Sequence, residues 1–382
     1  MIKAQLYRGL LACFVVLALC LPASASITLL DKDQTTFSVE GSFNTFMVFS
    51  STDNDVTGVD RDQSRVKMGF LPNWVGFNFS KQVGHLKIGG RSTFWVTIND
   101  SDNNVTESGI DTRQFYGTVD ADWGQVLIGK DFTLFGRANI FNDEILRGYG
   151  NVSDTLGLID GNGVSFGNIG SGYIYPFPKS QITYRSPEVG GFKLALALVD
   201  PSRTSGTGGE EKLPRVEGEL LYGYNFDNGN ITAWGGFLYQ ESEDGALGDV
   251  TSQGLSYGAR LKIADLALHA SGYSGSGIGF LLGPGIDPAL GLPVVENGDE
   301  VDSNGYLFQA SYKIDKAKLV GSYGYGELET DTKWESETIT GAVFYAINDY
   351  LSLCGEYSRS TISLGNDDEE VDIIALGGII NF

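Results

Sequence analysis

From Phe37 onward the apolar residues fall on every second position. Phe37, Val39, Phe43, Met47 and Phe49 share one face of an extended chain, and Ser38, Glu40, Ser42 and Asn44 share the other. A period of two is the signature of a half-buried β-strand. It recurs at Leu86, Ile88 and Phe94, at Leu194, Leu196 and Leu198, at Leu220, Tyr222 and Tyr224, and as far on as Ile339, Val343 and Tyr345. Each segment runs for about ten residues, the length that a tilted strand needs to cross a bilayer. After residue 21 there is no run of about 18 apolar residues, so helical spans are excluded. The near-neutral mean hydropathy is what alternating strands give. A soluble sandwich would bury the apolar face in a core. Here that face carries many Tyr and Phe at the segment ends, as interfacial girdles do. The expected fold is therefore all-β: a transmembrane antiparallel β-barrel. One place changes phase. Val66, Met68 and Phe70 are even but Val75, Phe77 and Phe79 are odd, which reads as a one-residue β-bulge at Pro72-Asn73.

The connections also alternate. Short turns sit at Gly84, 122–124, 188–191, 227–229, Asp265, Asp315 and 348–349. Between them lie longer acidic, glycine-rich loops near 53–62, 100–111, 202–211, 241–249, 275–302, 329–337 and 365–370. Tight turns at one rim and long loops at the other are the asymmetry of outer-membrane barrels, and the segments number about 16. Gly275, Gly277 and Gly279 lack the spacing and the strand-to-helix context of a dinucleotide fingerprint and read as a flexible loop.

Residues 1–25 form a secretory leader with Lys3 and Arg8, an apolar run, and an Ala23-Ser24-Ala25 ending that predicts cleavage after Ala25. Leu19 before Cys20 is too large for a lipoprotein site. The formal charge of −22 becomes −22 − 2 = −24 once the two basic leader residues are removed, so nucleic acid is not an expected partner. Cys13 and Cys20 leave with the leader, and Cys354 has no intramolecular partner for a disulfide.

Residues 135–179 break the alternation. A connection this long usually has a job. Its glycines, its apolar residues (Phe141, Ile145, Leu146) and its acids (Asp143, Glu144, Asp154, Asp160) suit a loop that packs on a wall and presents charge on its other side. Asn142 reads as the N-cap of a short helix, with Phe141 stapled to Leu146. The alternative is a surface flap.

The whole stretch from about Ser26 to Phe382 resembles the general porins of Gram-negative outer membranes. The resemblance is carried by the leader, the alternating segments, Gly129-Lys130-Asp131 just before the long loop, and a last strand with Ile374, Leu376, Gly378, Ile380 and Phe382 on one face. It departs from the pattern at Ile380, where an aromatic is usual, and in the loop, which lacks a Pro-Glu-Phe-Gly type sequence. The resemblance implies a barrel domain at 26–382, after the leader at 1–25, with 135–179 as an infolded, pore-narrowing third loop. It also implies a homotrimer in the outer membrane, inserted through a signal ending at Phe382 and surrounded by lipid and lipopolysaccharide.

If the apolar parity faces lipid, Arg65, Lys67, Lys87, Arg91, Arg185, Lys193, Arg260, Lys262, Lys313 and His269 face inward, with Glu40, Glu217, Glu219 and Glu356. A dry interior would strand these charges, so the lumen is expected to hold water. The candidate pore residues are Arg65, Arg91, Lys130, Asp143, Glu144, Arg185 and Arg260. The loop acids Asp143 and Glu144 are expected to face Arg65, Arg91 and Lys130, with Lys130 placed by the Gly-Lys-Asp resemblance. His85 and His269 supply no metal-ligand or triad spacing, so neither a cofactor nor a metal is expected. The expected function is passive diffusion of small hydrophilic solutes and ions. The alternatives are a substrate-selective channel, with Trp95, Trp234, Tyr116 and Tyr273 as a sugar slide, and a barrel enzyme using His269. The run at 367–370 reads as solvated charge or as a site for divalent cations with lipopolysaccharide.

Overall fold

The computed structural model describes residues 26–100, 110–159, 161, 163–287 and 291–382. The leader expected at 1–25, Asp160 and most of the loop expected at 100–111 lie outside the described residues. In chain order the strands are β1 (Ile27–Lys32), β2 (Thr35–Asn54), β3 (Arg61–Lys67), β4 (Asn73–Val83), β5 (Leu86–Val96), β6 (Asp111–Ala121) and β7 (Gly124–Asp131). After a short helix, α1 (Arg137–Phe141), come β8 (Lys179–Arg185), β9 (Phe192–Val199), β10 (Arg215–Phe226), β11 (Gly229–Gly245), β12 (Gly248–Ile263) and β13 (Leu266–Ser276). β14 (Val295–Glu296) and β15 (Asp299–Glu300) make a small separate hairpin. β16 (Asp302–Ile314), β17 (Ala317–Glu329), β18 (Trp334–Ala346), β19 (Leu351–Leu364) and β20 (Asp367–Asn381) complete the sheet.

Neighbours pair antiparallel all the way round, and β20 returns to β2, with Ser42 opposite Asn381 and Asn54 opposite Glu369. Gly41 and Phe382 close the seam with mutual backbone hydrogen bonds of 2.7 and 3.1 Å. β3 and β4 are two halves of one crossing on one flank of β2, and β1 lies end to end with β20 on the other. The wall is thus a closed barrel of sixteen antiparallel strands, and closure leaves no free edge strand among the described residues.

The pleat sorts side chains as the alternation predicts. Along β2, Phe43, Met47 and Phe49 are exposed on the outer face, while Asn44, Val48 and Ser50 are buried inside. Leu196, Leu220 and Val343 are likewise exposed outside, and Leu261 is half-buried.

The break near Pro72 is larger than the one-residue bulge expected. Phe46 pairs with Lys67 and Ser42 with Trp74, so residues 43–45 of β2 lie opposite 68–73. An odd shift flips the parity, as the sequence indicated, but Met68 and Phe70 turn inward and are buried rather than continuing the outer face. Asn44 bridges the gap by accepting from Gly69 N at 2.6 Å and donating to Leu71 O at 2.7 Å. A run of apolar letters cannot show that the strand has stopped.

The core of this hollow fold lies between the wall and what folds into it. Ile140, Leu146, Ile169 and Tyr173 of the long loop pack with Leu307, Leu328 and Ile362 of the wall, and Tyr149, Val152 and Ile159 pack with Phe46, Ile373 and Ala375. Two glycines of β17 allow close approach: a Cβ on Gly324 would lie 1.8 Å from Ser171 O, and one on Gly326 would lie 1.9 Å from Gly170 O. The segment after β13 also turns in, contrary to the flexible loop expected there. Ile278 and Phe280 are fully buried, and the Asp287 carboxylate accepts from Leu281 N at 2.7 Å and Leu282 N at 2.6 Å. Burial raises the Asp287 carboxyl despite these bonds. The glycines there supply turns within packed structure, with Gly277 and Gly279 at φ 63° and 79°.

Candidate functional site

The long loop is held along the inner wall by wall side chains that accept from its backbone. Glu217 of β10 accepts from Leu134 N at 2.6 Å and Phe135 N at 2.9 Å. Trp234 of β11 donates to Asn139, which donates to Gly272 O. Glu356 of β19 accepts from Gly150 N at 2.7 Å and Tyr149 N at 3.1 Å. Glu369 of β20 holds Ser153 and Thr155 at 2.8 and 2.9 Å, and Arg61 of β3 grips Asp154. Bonds to a charged acceptor in a dry setting contribute about 1.5–3 kcal/mol each, so this row of carboxylates fixes the loop's path.

That path corrects the expected facing of charges. Asp143 and Glu144 do not look across the lumen at Arg65, Arg91 and Lys130; they are tied to the wall beside them. Glu144 pairs with Arg260 at 2.7 Å and Lys318 at 3.1 Å, and it accepts from Ser311 at 3.0 Å. Asp143 accepts from Gln309 at 2.6 Å, Tyr173 at 2.7 Å and Asn168 at 2.9 Å. Asn142 ends a helix instead of starting one: it is the C-cap of α1, donating to Ala138 O at 2.8 Å, and Gly136 is the N-cap at φ 72°. The Asn-Asp-Glu triplet matched a helix start in letters alone. In the folded chain its acids have basic and amide partners on β12, β16 and β17.

Burial would raise the Glu144 carboxyl, but Lys318 and Arg260 outweigh it and hold the group below its ordinary value. This tether is therefore fully present above the ordinary Glu pKa of about 4.3 and is lost as pH falls through the lowered folded value. Single-channel recordings against pH are expected to show a loop-release step, on the acid side of the ordinary Glu value, that Glu144→Gln removes. The same step in that variant would show that Glu144 is not the tether.

The other candidates separate. Arg91 of β5 points inward, bonded to Glu40, to Gln114 at 2.9 Å and to Asn78 at 2.9 Å, with its guanidinium 5.5 Å from the centre of the Trp74 ring. Arg185 sits 3.5 Å from Asp131 and 3.2 Å from Gln125, beside a 210 Å³ cavity. Arg65 points inward from β3 opposite Val48. Lys130 does not: Leu127 and Asp131 are buried inside, whereas Ile128 is 57% exposed outside, and Lys130 shares its parity. In Gly129-Lys130-Asp131 the inward charge is Asp131.

Between the loop and the β4–β7 wall lies a cavity of about 570 Å³. A second, of about 440 Å³, lies on the other side of Phe141, Leu146 and Arg147, lined by Arg260, Lys262, Lys313 and Lys318. The larger cavity is lined by four guanidiniums, Arg91, Arg113, Arg137 and Arg147, and by one carboxylate, Glu40. Three of the four were missed in the sequence. Arg137 and Arg147 lie on the loop, where no parity applies, and among the described residues neither has an acid within ion-pair distance. Burial pulls the Arg147 guanidinium down to about 10, still cationic at neutral pH. Arg113 shares odd parity with the outward Phe115, but a bulge intervenes: Thr93 pairs with Gln114 and Phe94 with Thr112, leaving Arg113 as the extra residue. Bulges re-aim side chains. Here the guanidinium turns in to Tyr175 Oη at 2.8 Å and Asp111 at 2.8 Å.

Of the four aromatics considered for a slide, Trp95 and Tyr116 line this cavity, while Trp234 and Tyr273 are buried under loop segments. His269 is buried against Trp234, with Nδ1 3.1 Å from Gln309.

A family model for Gram-negative porins matches residues 12–363. No curated protein sequence matches the chain. Among solved structures, the outer membrane channel DcaP of Acinetobacter baumannii superposes with a TM-score of 0.67 at 17% identity, covering 92% of this chain and 99% of that one. An anion-selective porin from Comamonas acidovorans gives 0.65 at 15% identity, covering 91% and 100%. OmpT of Vibrio cholerae, in a trimer form, gives 0.53 at 16% identity, covering 92% and 100%.

Proposed function

Because this chain belongs to the Gram-negative porin family, we propose that the lumen between its third loop and the β4–β7 wall is the permeation path and that it favours anions. The chain is an outer-membrane channel for small hydrophilic solutes. The carrying observation for its selectivity is the larger cavity, where Arg91 is paired with Glu40 and Arg113 with Asp111, while Arg137 and Arg147 have no acid within ion-pair distance among the described residues. In a confined aqueous gap such charges are incompletely screened at separations below a Debye length of about 8 Å, so they concentrate counter-ions. The similarly folded Comamonas protein is described as anion-selective, which accords with this reading. Neither Asp143 nor Glu144 lines that cavity: Glu144 is neutralised by Arg260 and Lys318, and Asp143 is buried among Gln309, Tyr173 and Asn168.

The test is the reversal potential of the purified protein in a planar bilayer under a salt gradient. The expected result is preference for chloride over potassium, reduced by Arg137→Gln or Arg147→Gln and reversed by changing both to Glu, with all differences shrinking in high salt. Cation preference in the unmodified protein would overturn the reading.

The same proposal covers the rest of the biology. Transport is passive and needs no catalytic group: His269 lies in packed structure beside Gln309 and Trp234, and His269→Ala should leave conductance in place. Residues 1–25 act as the export leader, and the strand ending at Phe382 as the insertion signal. A homotrimer is supported by Lys130, an outward ammonium beside Phe115 that is costly in lipid and better placed against a second copy.

A further inference from the structure

We propose that the 570 Å³ cavity is a binding subsite for planar aromatic carboxylates, which would pause there during permeation. The proposal rests on the anion-preferring path above and adds a substrate class to it. Its first ground is a continuous aromatic lining. Trp74 and Trp95 are stacked with centroids 5.5 Å apart, and Phe132 meets Trp95 edge-on at 6.4 Å. Phe132 also meets Phe141 at 5.3 Å and Tyr175 at 6.0 Å, both at 90°. The chain assembles this surface from β4, β5, the start of the loop, α1 and the loop's return, five separate stretches that converge on one wall.

The second ground is that guanidiniums are interleaved with the rings. Arg91 lies 5.5 Å from the centre of Trp74, Arg113 lies 4.9 Å from Trp95, and Arg137 lies 5.2 Å from Phe141. A flat π-system can add to the edge-to-face array, because aromatic pairs prefer offset or perpendicular contact, and its carboxylate can meet a fork of donors. The third ground is unused hydrogen-bonding capacity at this wall: Trp74 Nε1 and Arg137 Nε are buried without a hydrogen-bond partner among the described residues. Aliphatic anions would use only the charges, and neutral aromatics only the rings. The cavity volume falls within the range of ordinary small-ligand sites, about 300–1,000 Å³.

The experiment is interruption of single-channel current by benzoate, cyclohexanecarboxylate and benzyl alcohol, added in turn to the unmodified protein in a planar bilayer. Benzoate is expected to block at about tenfold lower concentration than either analogue, the scale of one aromatic contact on top of charge. Tyr175→Leu, at the loop's edge and outside the barrel strands, should cut that advantage several-fold while chloride still passes. Arg137→Gln, which removes a guanidinium with no acid within ion-pair distance among the described residues, should weaken both carboxylates and leave benzyl alcohol unchanged. Equal block by benzoate and cyclohexanecarboxylate would overturn the aromatic subsite even if the reversal potential favours anions. A cation-preferring reversal potential would instead remove the underlying path. The comparison of analogues on the unmodified channel decides the matter whether or not a variant folds.

Discussion

Arginine placed at Leu220 is expected to cost the folded barrel about 2–4 kcal/mol, because its side chain points to the outer face near the middle of β10, where a cation must be moved into lipid, and arginine at the outward Val343, three residues before the end of β18, should cost less. The inward comparison has to be chosen with the loop in mind. Parity alone would mark Ala195 and Gly258 as tolerant lumenal positions. Ala195 is 6% exposed and packs with Leu134, however, and a Cβ on Gly258 would lie 2.4 Å from the Trp234 ring, so overpacking there should cost about 1–3 kcal/mol. Gly223, inward on β10 with nothing within 4 Å of its Cβ position, should accept arginine within about 0.5 kcal/mol. Urea unfolding from lipid vesicles measures all five. Similar losses at Leu220 and Gly223 would mean that the outer face does not meet hydrocarbon.

Replacing residues 137–175 by a short Gly-Ser linker is expected to raise single-channel conductance several-fold and to weaken the anion preference, since Arg137 and Arg147 leave with the segment. The strand ladder from β2 to β20 is complete without it, so a folded barrel should persist. Its thermal unfolding midpoint should nevertheless fall. Phe46, Leu307, Leu328 and Ile373 would face water instead of loop side chains, and each such side chain gains about 1.5–3 kcal/mol from burial. Unchanged conductance would place the permeation path elsewhere in the barrel and remove the basis for the proposed selectivity.

The barrel was legible because its information is local. Side-chain direction along a strand is set by the pleat, so Phe43, Met47 and Phe49 declare their face from their own neighbours, and the inward Glu217, Glu219 and Glu356 follow by the same count. The reading failed where the pleat is interrupted. At Arg113 one extra residue re-aims a cation into the lumen, and at 68–72 the chain leaves the wall, carrying Met68 and Phe70 inside. At Lys130 the resemblance chose the wrong member of a triplet whose parity, anchored by Leu127 and Ile128, assigns Asp131 to the interior.

By itself the sequence determined an outer-membrane-type barrel of about sixteen strands, the rim carrying the short turns, the apolar outer face, and a long interruption at 135–179 that could fold inward or lie outside as a flap. The tertiary structure decided which charges the permeating solute meets. Glu369 holds Thr155 across 214 positions, Glu356 holds Tyr149 across 207, and Glu144 reaches Lys318 across 174. Partners so distant are brought together only by closure of the wall, so no local period encodes them. The acids that looked free are therefore spent on holding the loop, and the loop arginines Arg137 and Arg147 are left to line the water.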